Sequence, residues 1–270
     1  MHLQNILSHR NRALLRELVA TDFKLRYQGS ALGYLWSLFR PLFLFAILYI
    51  VFGYFAKFGG NIDHYPVYLL LGIVLWNFFV EATNFGLGSI VNRGDLIRKI
   101  NFPKYIIVVS GSISALINLC ISLVVVLLFV LLAGIHLRPV VILLPFLIVE
   151  LYIFALAVAF FLSALYVKYR DVSYIWELVM QAGIYATPII IPISLVLAQS
   201  RLAAKVMLLN PIAQIIQDAR YVLVTPSTDT LYKLTHNWLS VITPLIIIIV
   251  LVITAALYFR ANAKYFAENV

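Results

Sequence analysis

The chain has 270 residues, 63% of them hydrophobic and only 11% charged, with a mean hydropathy of +0.99. A soluble core with a solvated surface needs far less apolar material, so a bilayer is the expected solvent. The net charge of +9 would suggest nucleic acid in a soluble protein; here the placement of basic residues reports topology first, and no nucleic-acid partner is expected.

The single cysteine, Cys120, lies in an apolar run and excludes disulfides and cysteine-built metal sites. Residues 1–34 read as a cytoplasmic N-terminus. Within them, 12–27 looks helical, with Leu14, Leu15, Leu18 and Val19 on one apolar face. Asp22 and Arg26 fall on that face at i,i+4 spacing, able to pair. That charge argues against a face that meets only lipid. An interfacial helix along the leaflet and a helix packed on a partner protein both remain open. The first apolar run begins near Leu35, too late and too long for a cleaved signal peptide, so the full chain is expected to be retained.

A span needs roughly 20 apolar residues, and six candidates follow at 35–58, 66–88, 105–133, 140–167, 172–193 and 239–259. The first carries Trp36, Phe39 and Phe43 on one stripe and Phe45, Tyr49 and Phe52 on another. In the second, Asn77, Glu81, Asn84 and Gly88 recur at i, i+4, i+7 and i+11. In the third, Ser110, Ser114, Asn118 and Ser122 recur every four residues beside Gly111 and Ala115, a pattern suited to close helix packing.

Between those two spans, 90–104 reads as a short helix ended by Phe102-Pro103. Leu96, Ile97 and Ile100 alternate there with Arg93, Asp95, Arg98 and Lys99, a surface suited to docking a cytoplasmic partner. In the fifth span, Tyr174, Glu177, Gln181 and Tyr185 recur at i, i+3, i+7 and i+11. Their rings can stack on sugar C–H faces while their polar tips bind hydroxyls.

Thr187-Pro188 and Pro192 interrupt the fifth span. Asn210-Pro211 is a helix start, followed by the stripe Ile212, Ile215, Ile216, Ala219, Val222 and Leu223 and stopped by Pro226. The segment 188–224 therefore reads as external re-entrant or interfacial helices, and 260–270 as a cytoplasmic tail. Fourteen Lys and Arg fall on one side of this arrangement and six on the other, placing both termini in the cytoplasm. The fold class is an all-α membrane protein.

No phosphate loop, H-E-x-x-H or G-x-S-x-G is present, and the five histidines are scattered. No catalytic or metal site and no bound cofactor are expected. Glu81 and Glu150 are intramembrane carboxylates with no basic residue at i±3 or i±4, which leaves a proton-coupled secondary transporter open. The carboxylates and His at Asp63, His64, Asp171 and Glu177 are too dispersed to favour a membrane-embedded enzyme.

Several landmarks together resemble the permease subunits of type-two ABC exporters, in the branch that moves O-antigen, capsule, galactan or teichoic acid. They are Asp22 to Tyr27, Ser30, Leu32-Gly33, Leu35-Trp36 and Pro41; Gly72, Trp76, Asn92, Leu96-Ile97, Lys99 and Phe102-Pro103; then Arg170-Asp171, Thr187-Pro188, Pro192, Asn210-Pro211 and Arg220.

The resemblance implies a homodimer in a bacterial cytoplasmic membrane, bound to two copies of a soluble ATPase that carries the ATP and Mg. It implies a lipid-linked polysaccharide substrate, which would pass between the copies along Trp36, Phe39, Phe43, Tyr49, Tyr174, Glu177, Gln181 and Tyr185. The ATPase would act on Arg93, Asp95, Leu96, Ile97, Arg98 and Lys99, and on Asp22 and Arg26. Arg26, Arg40 and Arg93 would attract a diphosphate-linked lipid at the cytoplasmic rim, besides satisfying the positive-inside bias. Nothing separates an O-antigen exporter from a teichoic-acid exporter.

Overall fold

The computed structural model describes residues 9–27, 33–58, 60, 62–100 and 102–269. Ser30, Leu32 and Asn101, named or spanned by the readings above, lie outside the described residues, as does the side chain of Arg26. Among the described residues the chain is helical and contains no strand. Five helices among the described residues are long and apolar enough to cross a membrane: Leu38–Phe55, Tyr65–Ser89, Tyr105–Leu132, Pro139–Lys168 and Trp238–Glu268. The protein is a multi-pass membrane protein.

Helix α1 (His9–Tyr27) precedes α2 (Trp36–Leu48), which continues as a π-helical stretch over Tyr49–Phe55. Helix α3 (Tyr65–Ser89) has Pro66 in its first turn, where a missing N–H costs nothing. It is the hub of the domain, because 78% of its apolar window is buried in protein, against 6 to 33% for the other four spans. It packs against α5 (Tyr105–Leu132), α6 (Leu144–Lys168) and α2. The outer helices expose large apolar side chains, among them Leu132, Ile142, Phe146 and Leu257, as a lipid-facing surface requires.

The small-residue stripe of α5 is buried: Ser110, Ser114, Asn118 and Ser122 are all less than 9% exposed. Ser110 and Ser114 donate to carbonyls of their own helix, Ile107 and Ser110. Both hydroxyls are satisfied locally, which lets their helix pack closely.

Between α3 and α5 the chain makes a 3-10 turn, Val91–Arg93, and then α4 (Gly94–Lys99). At this end of the bundle α1 packs against α5 through Leu14, Leu15 and Leu18. The apolar face of α1 therefore meets the chain's own bundle. Helix α12 (Trp238–Asn262) ends here too, and α13 (Phe266–Asn269) folds against α4 with Phe266 only 1% exposed.

The fifth expected span differs. Helix α7 (Val172–Ala186) has 15 residues, about 22 Å at 1.5 Å per residue, short of the roughly 30 Å of hydrocarbon. It stops at Thr187-Pro188, where the proline removes a backbone donor. Three helices follow within the expected helical segment: α8 (Ile193–Gln199), α9 (Arg201–Leu208) and α10 (Pro211–Leu223). Asn210 Oδ1 accepts from Ile212 N at 3.2 Å with Pro211 at the first position, the helix start read from the sequence. Helix α11 (Leu231–Thr235) is capped by Thr230. Helix α10 is buried along most of its length and packs on α3, α6 and α12.

Candidate functional site

Two surfaces emerge from this packing, one at the α4 end and one along α7. At the α4 end, Leu96 and Ile97 turn inward, with Ile97 3% exposed, and anchor the short helix. Asp95, Arg98 and Lys99 point outward. Arg93 is held beneath them, where Nη1 donates to Ser110 Oγ at 3.1 Å and Nη2 pairs with Asp22 of α1. That ion pair is only partly exposed, 22% and 24% at the two side chains. The fold pairs Asp22 with Arg93 and so ties α1 to the α4 segment; the i,i+4 pairing of Asp22 with Arg26 lies outside the described side chains.

Helix α7 has no buried residue. Tyr174, Glu177, Gln181 and Tyr185 all lie on its exposed side, the two tyrosines 70% and 62% exposed, and Gln181 Nε2 lies 3.4 Å from Glu177 Oε1. The opposite side faces α3: Trp176 Nε1 donates to Thr83 Oγ1 at 3.3 Å. A Cβ at Gly183 would stand 2.6 Å from Trp76 Cη2, so only glycine permits this approach. In α2, Phe43 is 60% exposed, Tyr49 37% and Trp36 46%, whereas Phe39 is half-buried. Phe39 and Phe43 pair at 6.0 Å between centroids, and Tyr49 stacks on buried Phe45 at 5.8 Å. Of the aromatic residues singled out in the first span and α7, Trp36, Phe43, Tyr49, Tyr174 and Tyr185 are left exposed by the chain's own fold, whereas Phe45 is buried.

Beyond α7 the chain returns to α3. Tyr65 Oη lies 3.4 Å from Ile190 O. Arg220, from α10, is fully buried; Nη1 donates to Pro188 O, Nη2 to Ile189 O at 3.2 Å, and Nε to Tyr68 O at 2.9 Å. The carbonyls freed at the proline break find their donor in this guanidinium. Its signal in the sequence was a cation four residues after Ile216, on an otherwise apolar stripe. Sequence reasoning also missed the Glu81 partner: Asn118 Nδ2 donates to Glu81 Oε1 at 2.6 Å across α5 and α3.

Glu150 remains on the α6 face toward α10, near Asp218, and its buried Oε1 has no partner among the described residues. Arg40 is exposed near the start of α2. Among the described residues no group of three or more His, Cys, Asp or Glu could hold a metal.

A hub helix wrapped by apolar spans, a charged helical end and an uncovered polar-aromatic helix together define a membrane permease domain. The chain belongs to the ABC-2 type transporter family, which matches residues 13–224. It is 27% identical over 263 residues, 96% of each chain, to the O-antigen export system permease protein RfbA of Myxococcus xanthus. Two relatives of the same name from Klebsiella pneumoniae are 27% and 28% identical over 180 residues, 66% of this chain and 68% of theirs.

Proposed function

We propose that this chain is the membrane-spanning subunit of an ATP-driven exporter of lipid-linked polysaccharide of the O-antigen kind, acting in a bacterial cytoplasmic membrane. The observation that carries this reading is the end-to-end likeness to an O-antigen export permease, 96% of both chains. A teichoic-acid exporter is the neighbouring alternative within the same chemistry.

The complex is read as a homodimer with two soluble ATPase subunits, which bind the ATP and Mg. Support for the dimer comes from α7, whose Tyr174, Glu177, Gln181 and Tyr185 stripe is left uncovered by its own chain. A polar-aromatic face on a helix in a bilayer calls for a second copy or a water-filled path beside it. Aromatic rings with hydrogen-bonding tips suit a passing glycan.

Six crossings with both termini cytoplasmic are supported by the course of 172–190. Trp176 meets Thr83, Gly183 meets Trp76, and Ile190 meets Tyr65. The segment thereby runs antiparallel to α3 along almost its full length, although α7 alone is short. Outward Asp95, Arg98 and Lys99, together with α1 and α13 at the same end, suit an ATPase docking surface.

The test is to look for a soluble ABC ATPase in the neighbouring reading frame and to co-purify it with this chain, followed by ATPase and surface-glycan assays. Deleting the chain is expected to abolish surface glycan and leave lipid-linked polymer inside the cell. Asp95→Lys with Lys99→Glu is expected to lose ATPase binding without loss of the membrane fold. Undiminished surface glycan after deletion would refute the export reading.

A further inference from the structure

Helix α9 is divided lengthwise. Ala204 and Leu208 are fully buried and pack inward with Ile193, Ala213, Leu231 and Leu234. Leu202 and Val206, four residues apart and so on one row of the helix, are 72% and 59% exposed. Arg201 and Lys205 form the neighbouring row at the same spacing. The helix thus turns outward an apolar ridge edged by two cations.

This ridge continues into a surface that meets acyl chains. Helix α9 packs on α11, and α11 packs on α12. Arg201 Nη2 donates to Leu234 O at 3.1 Å, which fixes α9 beside α11. There the Tyr232 and Trp238 rings pair at 4.7 Å between centroids, with Trp238 68% exposed. From Leu239 an exposed apolar row runs along α12 through Ile242, Ile246, Ile249 and Ile253, one side of a helix able to cross the membrane. Trp238 is the first residue of that helix, the level at which indole rings anchor among head groups. The ridge of α9 lies beside it, so the lipid layer that covers Leu239 reaches Leu202 and Val206 as well.

The charge at this end is of one sign. Residues 178–217 and 230–259 contain Arg201, Lys205 and Lys233 and neither Asp nor Glu. Lys233 is engaged locally, by Pro226 O and Thr228 O and by nearby Asp229. Lys205 has no hydrogen bond or ion pair among the described residues, and Arg201 uses one of its five N–H donors on Leu234. Two cations are left for a partner outside the chain. A second copy docked ridge to ridge would bring like charges together across the two-fold axis. Zwitterionic lipid would cover the ridge but bring a cation of its own with every phosphate. Lipid of net negative charge covers the ridge and meets both cations, the guanidinium fork bidentately and the ammonium as a point charge.

We propose that α9, with the Tyr232–Trp238 corner beside it, is an interfacial anchor that selects anionic phospholipid. Leu202 and Val206 sit among the acyl chains, and Arg201 and Lys205 sit on the phosphates. On the topology proposed above the leaflet is the external one; the lipid contact itself does not rest on that topology.

The test uses the full chain in nanodiscs of equal phosphatidylcholine and phosphatidylglycerol, with bimane attached through Leu202→Cys in a Cys120→Ser background. Bromine on the acyl chains of one lipid or the other reports which of them lies at the label. Quenching by lipid is expected, and it should be severalfold stronger when phosphatidylglycerol carries the bromine. A basic residue at an anionic surface is worth about fivefold in this preference, so Lys205→Gln should lower it by about that factor. Lys205→Arg should keep it, Arg201→Gln with Lys205→Gln should abolish it, and Lys264→Gln, at the opposite end of the bundle, should leave it unchanged. Because Lys205 holds nothing in the fold, a loss in Lys205→Gln at an unchanged melting temperature reports lipid rather than structure. Equal quenching by the two lipids overturns the proposal. Quenching by aqueous iodide but not by lipid overturns it too, placing the ridge in water. Protection from both quenchers, with cross-linking between copies through the Leu202→Cys thiol, overturns it in favour of a protein interface. Nanodiscs carry the same lipids on both faces, so the outcome does not depend on which end is cytoplasmic or on what the chain exports.

Discussion

The guanidinium of Arg220 lies over the Tyr68 ring, 3.7 Å from its centroid, and joins α10 to the hub helix α3. Tyr68 Oη donates to Gln217 Oε1 at 2.9 Å, and the same oxygen accepts from Arg220 Nη1 at 2.9 Å. Among the described residues no carboxylate pairs with this fully buried cation. Its charge is carried by carbonyl dipoles and an aromatic face.

Lysine keeps the charge but offers one point where arginine offers a fork. Arg220→Lys cannot reach Tyr68 O, Pro188 O and Ile189 O together, so at least one broken-helix carbonyl loses its donor. The expected cost is roughly 3 kcal/mol, seen as a lower melting temperature in detergent and as new protease cleavage near 187–192. A melting curve like that of the wild type would show that the break is braced elsewhere.

Gly72 makes room for that guanidinium. A Cβ there would stand 2.4 Å from Arg220 Nη2, inside contact distance. Gly72→Ala should therefore destabilise by about 1–3 kcal/mol, and combining it with Arg220→Met should cost less than the two single effects added, since both act on one contact. Additive melting shifts would separate the two residues.

At the opposite end, Asp22 and Arg93 hold α1 onto the α4 segment. Removing one partner leaves the other half-buried charge unmatched, so Asp22→Asn should loosen α1 by on the order of 1 kcal/mol. Hydrogen exchange over His9–Tyr27 would report it. Swapping the charges, Asp22→Arg with Arg93→Asp, should recover part of the loss, and an equal loss in the swap would show that Ser110, not Asp22, is what Arg93 needs.

The two sides of α7 should respond oppositely. Gly183→Leu would drive a side chain into Trp76, prising α7 from α3, and should lower the melting temperature. Tyr185→Ala removes a ring that is 62% exposed and should leave stability within about 0.5 kcal/mol while reducing surface glycan. If Tyr185→Ala destabilises the isolated chain as much as Gly183→Leu, the uncovered side is a folding surface rather than a path.

Apolar length made the long helices legible in the sequence, because a span is a local property. Caps were legible too: Asn210-Pro211 starts α10 where its residue types require. What sequence could not supply was partner choice across helices. Asp22 shows only its i,i+4 neighbour Arg26 in the sequence, and nothing there announces Arg93, 71 residues away, which reaches it in the fold. Glu81 reads as an isolated carboxylate, yet Asn118, on a stripe that otherwise packs, turns its amide to it. Both pairings depend on helix rotation and depth, which periodicity alone leaves free. The break at Thr187-Pro188 was legible as well, and apolar length alone would have hidden it. The apolar run continues through Thr187-Pro188 into Ile189, Ile190 and Ile191, but proline ends the helix before hydropathy ends the span.

The α6–α10 contact gives a dependence on pH. Burial pushes the Asp218 carboxyl from an ordinary value of 3.8 up to about 6, and the hydrogen bond from Gln214 Nε2 at 2.6 Å only partly offsets it. The folded chain thus holds the proton more tightly than the unfolded chain. Its stabilising contribution is complete below about pH 4 and is lost as pH rises through about 6, with a total on the order of 3 kcal/mol. Glu150 on α6 lies close enough for like charges to repel, so the measurement belongs in a Glu150→Gln background. In that background the melting temperature should fall from pH 5 to pH 8, and Asp218→Asn, which cannot ionise, should flatten the profile over that range. An unchanged slope in Asp218→Asn would place the titrating group elsewhere in the fold.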